Sequence, residues 1–241
     1  MQFVTLRTIT NDLLKIVRAS NISSSETISL RQLEDWVHQY RSILLKRDLD
    51  KGKKPNPDYI QEIDSLRLEK IDLVGDDVIT SGIIPHGVES GVYIYRTSLS
   101  LPKTIDLNFS SGFTYVGTPA GDEIQLIPEG RSKWQQYKKY TANDKMCFLR
   151  NGYMYVMNNE ALEFVTIRGV FEIPSEVGRF VNPITDQPYF DMDSKYPIPN
   201  NMIPALKDII IQKELKIQVT SPTDVKNDDM NNPINVSNTN I

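Results

Sequence analysis

The stretch MCFLRNGYMYVMNN, residues 146–159, predicts an antiparallel hairpin in the middle of the chain. Two runs rich in aromatic and other apolar residues flank the dipeptide Asn151-Gly152. This dipeptide is the strongest short signal of a type I′ turn, because both turn positions require a positive φ angle that Asn and Gly tolerate. The hairpin is therefore the point from which a larger β region is predicted.

Further strand signals lie on both sides of this hairpin. The run LEFVTIRGVFEIP follows it at residues 162–174, and the shorter runs GFTYVGT (112–118) and EIQLIPEG (123–130) precede it. Near alternation of apolar residues also begins at about Leu66 and recurs over residues 91–107. An irregular, proline-rich stretch over residues 174–199 is predicted to close the region as a surface connection.

Amphipathic helices are predicted before and after the β region. Residues 5–19 carry apolar side chains at helical spacing, and a longer helix is predicted over residues 29–48. Ser29 and Gln32 form a capping-box pattern at the start of that helix. A short helix is predicted after Asn56-Pro57, and a last helix from residue 200 or 201 to about 217. The long helix is expected to bury one stripe: Leu30, Leu33, Val37, Tyr40 and Leu44, widened by Trp36 and Ile43.

This order of elements predicts an α+β fold. The N-terminal and C-terminal helices would form a helical bundle, and the antiparallel β region would be inserted between them. Residues 1–65 and 200–219 would then be the helical platform, and residues 66–199 the β-rich insertion with its irregular connection. Residues 220–241 are rich in Asn, Asp, Ser, Thr and Pro, which predicts a disordered or arm-like C-terminal tail.

The tail contains isolated apolar side chains that could anchor it on a partner protein. A floppy polar terminus would leave these side chains in water, whereas an arm that folds on docking would bury them. The predicted partner-binding residues are Met230, Ile234, Val236 and Ile241.

Composition argues against several classes of function. A net charge of -4 at pH 7 argues against a general nucleic-acid-binding protein, which normally has a basic excess. A single cysteine, Cys147, leaves no internal disulfide framework, and two histidines leave little material for a histidine-based active site. No apolar run approaches the roughly 18 residues of a membrane-spanning helix, and the first residues do not form a secretory signal.

The sequence offers no catalytic, cofactor-binding or metal-binding set, so we expect a protein that is not an enzyme. Cys147 lies in a predicted strand as a small core residue, and His38 lies off the apolar stripe as a surface or partner-facing residue. The acidic run at residues 190–194 lacks the glycine and glutamate of a calcium loop, which favours a solvated loop. The tyrosines of the β region favour either cross-strand packing or a protein interface.

The layout of the whole chain resembles a family of virion proteins. The segments LRQLEDWVHQYRSILLKRDL, DKMCFLRNGYMYVMNN, LEFVTIRGVFEIP and YPIPNNMIPALKDIIIQKEL, followed by an Asn-rich tail, are similar to the ring (neck or head-to-tail adaptor) proteins of crAss-like podoviruses. The resemblance covers residues 5–225. It implies a structural virion protein of a tailed bacteriophage.

The resemblance also implies where such a protein would act. Copies of the chain would assemble in the host cytoplasm into a ring of about twelve at the portal–tail junction. The ring would connect head to tail and continue the DNA channel, with DNA only as a passenger. The partners of the chain would be further copies of itself, the portal protein and other tail or ring proteins. Neither a cofactor nor a membrane would take part. The tyrosine-rich β region leaves one alternative, a carbohydrate- or receptor-binding tail module.

Overall fold

The computed structural model describes residues 3–19, 28–52, 56–72, 93–108, 111–132, 134, 137–141, 143–158 and 161–215. In this part of the chain the α-helices are α1 (Leu6–Ala19), α2 (Leu30–Leu49), the single turn α3 (Glu129–Ser132) and α4 (Ile203–Lys213). The strands are β1 (Gln61–Asp72), β2 (Tyr93–Thr97), β3 (Phe113–Gly117), β4 (Gln125–Leu126), β5 (Met146–Arg150), β6 (Tyr153–Met157) and β7 (Phe164–Gly169). Short 3₁₀ helices cover Pro57–Tyr59, Pro174–Arg179 and Asn200–Met202.

The seven strands form one mixed sheet in the order β3-β7-β1-β2-β6-β5-β4. Neighbouring strands are antiparallel except β4 and β5, which are parallel. The long strand β1 pairs first with β7 and then with β2, so it joins the two halves of the sheet. Its register shifts between Ile63 and Leu66, where Ser65 has a positive φ of 56°. Such a bulge bends a strand and increases its twist.

The two outer strands approach each other and nearly close the sheet into a barrel. The backbone N–H of Ile124 donates to the carbonyl of Val116 at 2.8 Å, and an isolated bridge pairs Gly117 with Glu123. A side chain at Gly117 would place its Cβ against the side chain of Tyr115 and 2.7 Å from the carbonyl oxygen of Asp122. Glycine is therefore what permits this close approach between β3 and the segment leading into β4.

The predicted helical bundle with an inserted β region is wrong. The chain forms a nearly closed, mixed seven-stranded barrel accompanied by few helices. The error begins at β1, because the sequence pattern predicts a helix after Asn56-Pro57 where the first half of this strand lies. That dipeptide instead opens a one-turn 3₁₀ helix, in which the side chain of Asn56 accepts from the N–H of Asp58. The bulge at Ser65 interrupts the alternation of β1, so the sequence pattern hid the strand that joins the two halves.

The central hairpin, in contrast, was predicted correctly. Strands β5 and β6 pair from Met146↔Met157 to Arg150↔Tyr153. Asn151 and Gly152 have φ angles of 51° and 78°, the two positive values that a type I′ turn needs. The predicted cap of the long helix is also confirmed, because Ser29 Oγ accepts from the N–H of Gln32 at the start of α2.

The helices from both ends of the chain pack together, but they share one core with the sheet. Lys207 of α4 and Asp12 of α1 form an ion pair at 2.7 Å, and the hydroxyl of Tyr40 donates to Glu214. One apolar cluster contains residues of all these elements: Leu6, Ile9, Leu13, Leu33, Val37, Val165, Ile167, Leu206 and Ile210. The proposed domain boundaries at residues 65, 199 and 219 stay predictions.

The strands β5 and β6 are buried on both faces. Cys147, Met154 and Val156 belong to the cluster shared with the helices. Phe148 and Tyr155 occupy the alternate positions and so lie on the other face of the hairpin. Their rings stack with centroids 5.3 Å apart, within a second apolar cluster. Burial on both faces explains why this hairpin is almost continuously apolar rather than strictly alternating.

Candidate assembly surface

A buried polar cluster joins α2 to the proline-rich connection. Arg41 is fully buried, and its Nε and Nη1 atoms donate to the carbonyl oxygens of Pro197 at 2.7 Å and Phe171 at 2.9 Å. The guanidinium also lies 5.8 Å from the centre of the Tyr196 ring. Three separate segments thus meet at one side chain. Removing it would leave buried carbonyl groups without a donor.

His38 lies one turn before Arg41 and completes this cluster. Its Nδ1 atom is 2.9 Å from the hydroxyl of Tyr196, and both residues are buried. Burial, assisted by the charge of Arg41, lowers the pKa of His38 to about 4. Burial also raises the pKa of Tyr196 and lowers the pKa of Arg41 to about 10. The prediction that His38 lies on the surface is wrong, and the cluster holds the connection against the helix.

The other residues weighed for chemistry have structural partners. Cys147 is buried, and desolvation raises the pKa of its thiol to about 12, as expected for a core cysteine. In the acidic loop, Asp193 pairs with Arg7 at 2.9 Å. Across the residues that the structure describes, no group of three or more His, Cys, Asp or Glu side chains is placed to hold a metal ion.

Several large apolar side chains lie on the surface, and we call three of them, which are close in sequence, the aromatic patch. Trp134, Tyr137 and Tyr140 follow α3 and are 59%, 73% and 85% exposed. The rings of Trp134 and Tyr137 lie 6.1 Å apart, and Lys139 Nζ lies 5.1 Å from the centre of the Tyr140 ring. Tyr155, in contrast, is buried in the second cluster. Tyr155 therefore serves packing within the sheet, and an interface role for the exposed tyrosines stays a prediction.

A second surface feature is the Ile184 hairpin, residues 181–188, which projects from the proline-rich connection. Val181 pairs with Pro188, and the N–H of Asn182 donates to the carbonyl of Gln187 at 2.9 Å. The side-chain oxygen of Asn182 accepts from the N–H of Ile184 at 2.8 Å, which fixes the tip as an Asx turn. Ile184 stands at this tip with 89% of its surface exposed.

The comparison with known families decides the identity of the chain. The family model described as phage tail ring protein 2 matches residues 8–233, which is most of the chain. The chain belongs to this crAss-like phage ring family. No curated protein matches its sequence.

Family membership confirms the resemblance seen in the sequence and makes the ring protein a structural component of a phage tail, and so of the virion. A ring implies copies of the same chain side by side, together with other tail proteins. None of its described helices has the length and apolar character needed to cross a bilayer. Exposed apolar side chains on ordered segments are what an assembling subunit needs.

The predicted partner-binding residues do not coincide with the exposed apolar residues of the described chain. Met230, Ile234, Val236 and Ile241 lie outside the described residues, so their role stays a prediction. The sequence pattern does not predict the Ile184 hairpin, because its residues lie within the irregular, proline-rich connection. Its sequence, NPITDQP at residues 182–188, does carry a signal: Asn-Pro favours a turn, and a lone isoleucine sits among turn residues.

Proposed function

We propose that the ring protein forms a closed ring of about twelve copies at the portal–tail junction, where it connects the head to the tail. The observation that carries the proposal is the exposure of Ile184 on an internally hydrogen-bonded hairpin in a member of a phage tail ring family. Burial of an isoleucine side chain that an ordered tip exposes to water lowers the free energy, so this side chain favours contact with another molecule. A ring subunit meets two neighbours, which provides that burial.

The distribution of exposed apolar side chains supports a ring over a two-fold dimer. A cyclic ring uses a heterologous contact, in which two different patches of the subunit meet. The aromatic patch follows α3 at residues 134–140, whereas the Ile184 hairpin belongs to the proline-rich connection at residues 181–188. Two unlike patches on separate segments suit contacts with neighbours on different sides.

The charge of the chain is compatible with a channel through which DNA passes. A net charge of -4 adds no overall attraction for phosphate. DNA leaving the head would therefore slide through the ring without being held. In this proposal the DNA is a passenger and the binding partners are proteins.

The C-terminal tail is proposed to dock the ring onto the portal protein. Residues 220–241 are polar and Asn-rich, with few apolar side chains to support a core of their own. A segment of this kind can fold on docking and wrap a large surface. The anchors would be Met230, Ile234, Val236 and Ile241, and repetition around a ring would strengthen each weak contact.

Native mass spectrometry and negative-stain microscopy of the chain, alone and after co-expression with the portal protein, test this function. We expect rings of about twelve subunits, formed alone or on the portal. A chain that stays monomeric at high concentration and ignores the portal protein would contradict the proposal.

Truncation after residue 219 tests the arm separately. We expect the truncated chain to keep the thermal unfolding curve of the full chain and to lose portal binding. A full-length variant with residues 220–241 in scrambled order is the matched control, because it keeps the length and charge of the tail. Portal binding that survives both changes would exclude the arm as the docking element.

The aromatic patch favours one alternative function, binding of carbohydrate or a receptor by a tail module. Exposed Trp and Tyr rings are suitable surfaces for sugar rings as well as for proteins. A glycan array with the full chain would test it, with Trp134→Ala as the variant. Saturable binding that Trp134→Ala abolishes, by a chain that forms no rings, would favour the alternative over the ring.

A further inference from the structure

The Ile184 hairpin has the properties of a preformed docking element. Its backbone is fixed by the Val181–Pro188 pairing and by two bonds of Asn182, so little conformational entropy would be lost when the tip is buried. Between residues 182 and 188, Asp186 is the single charged side chain. The tip can therefore enter an apolar site without the large cost of desolvating several charges.

A cavity that suits such a tip lies at the edge of the sheet where β4 ends beside β5. Its volume is about 340 Å³, and mainly apolar side chains surround it: Ser111, Leu126, Ile127, Pro128, Glu129 and Leu149. The carboxylate of Glu129 accepts from Arg150 Nη1 at 3.0 Å, so the acidic group on the rim is already paired. An aliphatic side chain entering this cavity would replace water against leucine and proline surfaces.

The hairpin and the cavity do not meet within one copy. Ile184 is 89% exposed and is absent from the lining of the cavity. A knob and a socket on separate segments of the same chain form the two halves of a heterologous contact, which repeats into a ring when the rotation closes.

We propose that Ile184 of one copy inserts into the cavity between Leu126 and Leu149 of the next copy. The occupant is a second copy of this chain, because the family forms a ring and because both surfaces are apolar. This inference rests on the proposed ring. It adds to it the residues through which neighbouring subunits make contact.

Cross-linking between introduced cysteines tests the contact directly. The double variant Ile184→Cys with Ser111→Cys is treated with a short bis-maleimide reagent, and the buried Cys147 serves as an unreactive background. We expect a ladder of covalent oligomers from the double variant. Each single variant is expected to give monomers, and a mixture of the two single variants to give dimers only.

A pair of complementary blocking variants gives a second readout. Ile184→Asp destroys the knob, and Ser111→Trp fills the mouth of the socket. Each variant alone is expected to self-associate at least roughly tenfold more weakly than the parent, with an unchanged melting curve. Mixed together, they are expected to form one-to-one heterodimers, because one intact knob still meets one intact socket.

The two proposals fail in different ways. Rings that form without a covalent ladder, or that persist in both blocking variants, would overturn this contact and leave the ring intact. A mixture of blocking variants that stays monomeric would also overturn the contact. Absence of rings from the parent chain, with or without the portal protein, would contradict the proposed function itself.

Discussion

The Nδ1 atom of His38 lies 2.9 Å from the hydroxyl oxygen of Tyr196, and both side chains are buried between α2 and the proline-rich connection. The pKa of His38 is lowered to about 4 in the folded chain, against about 6.5 in an unfolded one. Above pH 6.5 His38 is mostly neutral in both the folded and the unfolded chain, so its burial does not reduce the stability of the fold. As the pH falls below 6.5, the unfolded state takes up a proton first, so stability is lost.

The expected loss attributable to His38 is about 2 kcal/mol between pH 7 and pH 5. Urea unfolding at the two pH values measures it, and His38→Asn should remove this part of the pH dependence. Tyr196→Phe is the control: it removes the shared hydrogen bond but keeps the imidazole buried beside Arg41. If the free energy of unfolding fell equally with pH in the parent and in His38→Asn, His38 would not be the source of the pH dependence.

Arg41→Lys should destabilise the ring protein by about 3 kcal/mol, because the carbonyls of Pro197 and Phe171 are bonded by two separate nitrogens, Nε and Nη1, and a single ammonium nitrogen does not reproduce this fork. Chemical denaturation measures the free energy of unfolding. Arg47→Lys, an exposed arginine of the same helix, should change it by less than about 0.5 kcal/mol. Equal effects of the two substitutions would show that Arg41 does not hold the connection.

Local signals in the sequence predicted local structure well. Asn151-Gly152 specified the turn between β5 and β6, and Ser29 specified the start of α2, because each acts through neighbours within three residues. The barrel depends instead on pairings across long sequence distances. The contact of Val116 with Ile124 leaves no mark on the hydrophobic period, and the bulge at Ser65 interrupts the period of β1 without showing which strands pair with it.

The burial pattern of α2 shows a further limit of sequence reasoning. Leu30 and Ile43 were expected in the apolar stripe, yet each is about half exposed, while His38 and Arg41 are buried. A polar residue enters the core only when a partner from elsewhere in the fold satisfies it, here Tyr196 or the Pro197 carbonyl. The sequence cannot show that partner. The exposure of Ile184 also depends on the rest of the fold, so the sequence could not show it either.

Gly152→Ala should destabilise the central hairpin by about 1–2 kcal/mol. Gly152 has a φ of 78°, and an L-residue resists this conformation even though its Cβ would have room. Thermal unfolding measures the effect. Gly130→Ala in α3 is the matched control, because Cβ there meets nothing within 4 Å and the φ is ordinary; it should be neutral or stabilising. A neutral Gly152→Ala would argue against a type I′ turn.

We call the pairing of Val116 and Gly117 with Glu123 and Ile124 the seam, because it nearly closes the barrel. Gly117→Ala should open this seam. The added Cβ would overlap the side chain of Tyr115 and would lie 2.7 Å from the carbonyl oxygen of Asp122, which accepts from the N–H of Thr118. The Tyr115 side chain can rotate away, but the Asp122 carbonyl belongs to the backbone. Relief of this overlap requires the backbone to move, at a cost of about 2 kcal/mol. We expect faster amide hydrogen exchange at Thr118 and Ile124, with exchange in β5 and β6 unchanged apart from the global loss.

The control for the seam is again Gly130→Ala, which leaves the amides of Thr118 and Ile124 protected. Because β4 leads directly into the cavity lined by Leu126, opening the seam should also weaken self-association, even at temperatures where the chain stays folded. Sedimentation of the folded variant measures this coupling. A Gly117→Ala chain with the protection and association of the parent would show that closure of the barrel does not depend on this glycine.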